Sequence, residues 1–258
     1  MLRRLCLQLG LVSLVLSVAT TSYADFVVLP QQIPINPPIG VEGDYPSGWG
    51  TGSWQANGST VTEVYFTPNL LFGRDITLGQ IKSISFWTKK DKTHTESAPD
   101  WFFTIYTTPF AGSWYGYRII AEPYFSENLN DPANQWNLWS SERGNNWLRF
   151  FVSGKSGSSV SNGSYSDPHF EDFKLLSSER STGAKMADEP ILYFRISTGN
   201  PWANGFTGQV DGLTITLIDD TVARVNFEAV PEPATLVGLA SLAATGLGGV
   251  VLRRRKRA

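Results

Sequence analysis

Thiols are almost missing from this chain: of its 258 residues only Cys6 is a cysteine. Cys6 lies in an N-terminal apolar stretch that reads as removable, so the mature protein carries no thiol. That excludes a disulfide framework, a cysteine-based metal site and a cysteine nucleophile together. Histidine is nearly as scarce. His94 and His169 are the only two, far apart in sequence, with no H-x-x-x-H or H-x-H spacing to suggest zinc. Each reads as an ordinary surface or half-buried side chain. There is no G-x-S-x-G elbow, no P-loop and no dinucleotide fingerprint. Gly48-Trp49-Gly50-Thr51-Gly52 lacks the third glycine and the strand–helix setting that such a loop needs. With these constellations missing, the chain is expected not to be an enzyme.

What is present concentrates first at the two ends. Arg3 and Arg4 precede an apolar run from Leu5 to Val18, and Ser22-Tyr23-Ala24 sets small residues just before Asp25. Charge, apolar core and small-residue exit, in that order, read as a secretory signal over residues 1–24, cleaved by signal peptidase between Ala24 and Asp25. At the other end Val230-Pro231-Glu232-Pro233 is followed by an uncharged stretch from Ala234 to Leu252 and then by Arg253-Arg254-Arg255-Lys256-Arg257. The stretch is long enough to cross a hydrocarbon core as a helix. The basic cluster holds its end in the cytoplasm, which leaves the folded part outside.

Residues 230–257 resemble the PEP-CTERM sorting signal of Gram-negative bacteria: a Pro-Glu-Pro motif, a Gly/Ala/Leu span and a terminal arginine cluster. The resemblance implies recognition near Pro231, Glu232 and Pro233 by an exosortase, a membrane-embedded protease-like enzyme. It also implies an inner-membrane intermediate, then release or transfer to the outer surface or extracellular matrix, in species that make exopolysaccharide or biofilm. In that reading the chain is a substrate, and the three motif residues catalyse nothing. An ordinary tail anchor that is never cleaved is the alternative.

Between the ends, charge is lopsided. Of 21 Lys and Arg, two fall in the signal and five in the tail, leaving 14; of 23 Asp and Glu only Glu232 falls outside, leaving 22. The middle therefore carries −8 where the whole chain carries −2, which argues against a nucleic-acid partner. Its pattern is that of strands. Val61–Phe66, Ile81–Thr88, Trp101–Tyr106, Tyr115–Ala121, Trp147–Val152 and Ile191–Ser197 are β-branched and aromatic, with Gly, Pro, Asn and Asp between them. Leu213, Ile215 and Leu217 share one face, and Val225 and Phe227 return after a turn at Asp219-Asp220, a hairpin. One helix is expected from Asp167-Pro168, with Phe170, Phe173 and Leu176 in a stripe. Lys155–Ser164 reads as a Gly/Ser-rich loop. The expectation is an all-β, antiparallel β-sandwich of jelly-roll type over residues 53–229, after an irregular lead-in at 25–52.

Gly205-Phe206-Thr207-Gly208-Gln209-Val210-Asp211-Gly212-Leu213, followed by Val225-Asn226-Phe227-Glu228, is similar to the closing hairpin of many exported lectin-like jelly rolls. Aromatics point the same way. Trp49, Trp54, Trp114 and Trp202 sit beside Gly, Ser, Asn or Pro, so they fall in turns, where indole faces can stack on sugar rings. The same residues can equally anchor loops onto the sheets. Glu127-Asn128-Leu129-Asn130-Asp131 gathers hard oxygen ligands, which makes Asn128, Asn130 and Asp131 weak calcium candidates beside the simpler reading of a polar turn. The E-x-D-x-x-E strand of jelly-roll glycosidases begins at Glu42-Gly43-Asp44 but fails at Ser47. Three functions follow in order: a non-enzymatic surface or matrix protein, a lectin-like carbohydrate-binding module and, third, a secreted glycoside hydrolase.

Overall fold

A computed structural model describes residues 25–33, 35–58, 60–96, 99–110, 112–153, 163–199 and 205–229. The signal, the Pro-Glu-Pro motif, the apolar span and Trp202 lie outside the described residues. No helix among those described is long and apolar enough to cross a membrane.

Among the described residues twelve strands form two sheets. The first holds β1 (Phe26–Val28), β2 (Ile39–Glu42), β3 (Gly52–Gln55), β5 (Ile81–Lys89), β8 (Asn137–Ser140), β11 (Gln209–Leu217) and β12 (Val222–Phe227); the second holds β4 (Glu63–Phe66), β6 (Phe102–Thr107), β7 (Arg118–Ala121), β9 (Phe151–Val152) and β10 (Ile191–Ser197). The pairings of these strands are antiparallel except that of β1 with β12. The chain is thus all-β with antiparallel sheets. Alternation explains why: Phe194 and Ile196 of β10 and Leu213, Ile215 and Leu217 of β11 are all fully buried, each two residues from the next. Rings from both sheets meet in one core. Phe86 of β5 lies 6.5 Å from Phe103 of β6, and Phe66 of β4 lies 6.3 Å from Phe227 of β12.

β11 is the spine. One edge pairs with β5 along its length. The other edge changes partner, taking β3 at Gln209 and Val210 and β12 from Leu213 onward. Asp211 fills the gap where the ladder changes hands. Its Oδ1 accepts the N–H of Phe227 at 2.9 Å and of Gly212 at 2.7 Å, so backbone donors at the junction are satisfied by a side chain.

The expected helix forms as α2 (Phe170–Leu175), with Phe170 and Phe173 fully buried and Leu176 packed at its end. It starts at His169 rather than at Asp167-Pro168. A second helix, α1 (Pro68–Phe72), was not foreseen, though its signals are local: the Thr67 hydroxyl accepts from Leu70 N–H at 3.0 Å, Pro68 opens the first turn and Gly73 closes it at φ 68°. The stretch read as an irregular lead-in holds β1 and β2. Residues too short and too Pro/Gly-rich to show a period are ordered there by pairing with β12 and β3.

Candidate functional site

On the second sheet, alternation that buries one face must turn the other outward. In β4, Val64 and Phe66 enter the core, so Glu63 and Tyr65 face away; in β10, Tyr193 and Arg195 do the same, and in β6, Phe102, Thr104 and Tyr106. Register brings them together, because Arg195 is paired with both Tyr65 and Thr104, and Tyr193 with Tyr106. The result is a row of rings. Tyr65 lies 5.9 Å from Tyr193 and 6.2 Å from Tyr106, and Tyr106 lies 5.2 Å from Trp114, whose indole is inclined by 30°. Tyr115 packs edge-on against both Tyr106 and Trp114.

Solvent reaches this row unevenly. Trp114 is 60% exposed and Tyr65 40%, while Tyr106 between them is buried at 3%. Arg195 runs beneath, its guanidinium 5.4 Å from the Tyr106 ring, 5.5 Å from Phe102 and 5.9 Å from Tyr65. It is held at its head by Glu63 at 3.0 Å and by the Thr104 hydroxyl at 3.3 Å. Burial raises the Tyr65 hydroxyl above its usual titration range, opposed by the Arg195 charge, so Tyr65 stays a neutral phenol at physiological pH. Chemically the face offers two open aromatic surfaces flanked by a guanidinium, a carboxylate and a phenol. Stacking and directional hydrogen bonding are what it can do.

The tryptophans read as turn contacts divide. Trp114 alone of the described ones is open. Trp54 is fully buried, 4.8 Å from Phe227, with its N–H donated to the Glu228 carbonyl at 3.1 Å. Trp49 is buried under the Arg224 guanidinium at 4.1 Å. Gly212, at φ 63°, leaves the space: a Cβ there would sit 2.6 Å from the Trp49 indole. Trp54 lies within β3 rather than in a turn, and both indoles pack inward, so their reading as sugar contacts is corrected.

The calcium candidates are otherwise engaged. Asp131 is buried and accepts both the His94 backbone N–H at 2.6 Å and its Nδ1 at 2.7 Å, with the Lys90 ammonium 4.0 Å away. The Asn128 amide donates to the Gly144 carbonyl, and the Asn130 N–H donates to Asn146. Glu127 binds Arg149 and, at 3.0 Å, His169. The bond from His169 comes first among the causes that hold the Glu127 carboxyl below its usual range. Among the described residues no group of three or more His, Cys, Asp or Glu is arranged to hold a metal. The two histidines serve separate pairs, His94 with Asp131 and His169 stacked at 3.3 Å on Trp147.

Two carboxylates do lie near one another. Asp211 and Glu228 are both fully buried, Glu228 under the Gly50–Thr51 backbone. Glu228 accepts the Thr51 N–H at 2.8 Å and the Asn226 amide at 2.9 Å. Burial pushes the Asp211 carboxyl up to about 8, and the Glu228 charge adds to this, against the two backbone N–H groups that lower it. Both side chains are closed off from solvent, and their hydrogen bonds tie neighbouring segments together.

No protein family, curated protein or solved structure matches this chain. The ring platform therefore stands on its own geometry. Tyr65, Tyr193 and Arg195 were missed in the sequence, although the alternation in Val64-Tyr65-Phe66 and Ile191–Ser197 already put them on the face opposite the core.

Proposed function

We propose that this chain is an exported, non-enzymatic surface or matrix protein that contacts extracellular polysaccharide through the Trp114–Tyr106–Tyr65 row. In this reading the two sheets are the halves of a jelly-roll-like β-sandwich, and residues 230–257 form a PEP-CTERM-type tail processed by an exosortase. Contact with exopolysaccharide then joins the first two functions the sequence suggested, a matrix protein and a lectin-like module. The observation that carries it is an indole left 60% open at the end of a row of rings. A domain with no other use for Trp114 would gain by covering that area. The burial of Asp211 and Glu228 supports setting aside glycoside hydrolysis, which needs two reachable carboxyl groups flanking a glycosidic bond.

The test is a glycan-array screen of the full chain, purified in mild detergent, with and without calcium. Saturable binding to a defined polysaccharide is expected, with Trp114→Ala weakening it by about tenfold or more, since aromatic stacking contributes on the order of 1–2 kcal/mol. The unfolding free energy should stay unchanged within about 1 kcal/mol for an exposed side chain. Binding that survives Trp114→Ala and Tyr65→Ala together would exclude the platform. A chain that binds no glycan would be a purely structural surface protein, the reading that the burial of Trp49 and Trp54 favours.

A further inference from the structure

Beside Tyr65 the platform ends in a hollow. A cavity of about 380 Å³ opens between the start of the described chain and β4, a volume suited to one small ring or substituent rather than a long chain. Its walls are Ile33, Ile35, Val61 and Val64, and Tyr65 forms the shared rim with the ring row. Two carboxamides also line it, and each is half-used. The Gln32 oxygen accepts the Leu29 N–H at 2.6 Å, which leaves its NH2 without a partner among the described residues. The Asn36 NH2 donates to the Val61 carbonyl at 3.1 Å, which leaves its oxygen likewise. The hollow thus combines apolar walls, one amide donor and one amide acceptor.

That set is complementary to an acetamido group: a methyl for the isoleucines and valines, a carbonyl for the Gln32 NH2, an N–H for the Asn36 oxygen. Charge narrows the choice. Glu63 lines the same hollow, and the middle of the chain is net acidic at −8, from 14 basic and 22 acidic side chains. No cation stands among the lining residues to pair a uronic-acid carboxylate, since Arg195 is already held by Glu63. The geometry points to the hollow as a specificity pocket for a neutral N-acetylated sugar, placed so that a saccharide lying on the open rings of Tyr65 and Trp114 drops its acetamido group between Gln32 and Asn36. This rests on the polysaccharide reading above and adds the class of sugar.

The experiment compares β-1,4-linked oligomers of equal length made of N-acetylglucosamine or of glucose, both neutral, titrated into the full chain in mild detergent. The N-acetylglucosamine oligomer is expected to bind roughly tenfold or more tighter, the discrimination typical of filling a pocket and pairing its polar groups. Gln32→Ala and Ile35→Ala, both at exposed positions, should reduce that preference to within about threefold while leaving glucose-oligomer affinity unchanged. Equal affinity of the two oligomers for the native chain would overturn the pocket and leave the platform standing. A preference that persists undiminished in both variants would overturn it too. Binding of neither oligomer, or of any array glycan, would remove the polysaccharide reading on which the pocket rests.

Discussion

Raising the pH from 4 to 9 should strip several kcal/mol of folding stability from this protein, and Asp211→Asn should remove the largest share of that loss. Asp211 is fully buried at the point where β11 changes partner. Burial lifts its carboxyl to about 8 in the folded chain, against about 3.9 when unfolded. Between those values the folded state holds a proton that the unfolded state has released, so stability declines as pH climbs through the window. Below about pH 4 both states are protonated and the contribution is complete. Above about pH 8 it is spent, at a total on the order of 5 kcal/mol if the whole shift is realised. Asparagine keeps an oxygen to accept the Phe227 and Gly212 N–H groups and puts an NH2 where the proton was. Asp100, pushed up to about 6, and Glu122, pushed up to about 7, both mainly by burial, tilt the curve the same way. The variant should therefore flatten the profile without levelling it. Urea titrations from pH 4 to 9 measure this directly. Identical slopes for native and Asp211→Asn would mean that Asp211 is ionised and stabilised in some other way. Asp211→Ala should instead lose stability at every pH, since two buried N–H groups then lack a partner at about 1–3 kcal/mol each.

The strands were legible because their signal is local and redundant. Ile191–Ser197 and the Leu213–Leu217 face announce themselves by period two, and burial of that face against a second sheet keeps the period in register. Trp101–Tyr106, dense in aromatics, becomes β6, and all six residues of Phe102–Thr107 are buried. What failed to show was order imposed from a distance. β1 and β2 are three and four residues long, too short for a period, and exist through β12 and β3. For the site, residue type was legible and exposure was not. Trp49, Trp54 and Trp114 share the same small-residue neighbours, yet only a Gly212 and an Arg224 distant in sequence decide that Trp49 is covered. Asp131 looked like a ligand because its neighbours are polar. Its actual partners, His94 and Lys90, come from the far end of β5 and the turn beyond it. The tyrosines of the platform were hidden for the opposite reason. Each is a good strand residue, and nothing in one strand reveals that two others bring rings to the same face.

Trp54 and Trp114 were indistinguishable in the sequence, so separating them is the sharpest test of the structure. Trp54→Ala is expected to cost about 3–5 kcal/mol, the range for emptying a buried large aromatic site. The loss has two parts. The indole packs at 4.8 Å on Phe227 within the core, and its N–H satisfies the Glu228 carbonyl at 3.1 Å, next to the carboxylate that clamps Thr51. Trp54→Phe keeps most of the packing and drops the hydrogen bond, so it should fall between, nearer the native protein by about 2 kcal/mol or more. Urea unfolding followed by circular dichroism gives all three values. Glycan affinity gives the other axis. At temperatures where the Trp54 variants remain folded, their affinity should match the native chain, whereas Trp114→Ala should keep stability and lose affinity. The two substitutions then act on different quantities, one on the core that joins the sheets and one on the face that the joined sheets present. If Trp54→Ala lowered affinity in the folded protein as strongly as Trp114→Ala, the binding face would lie around the Trp49–Thr51 turn of the first sheet, and the tyrosine row would be only the packed outer layer of the second.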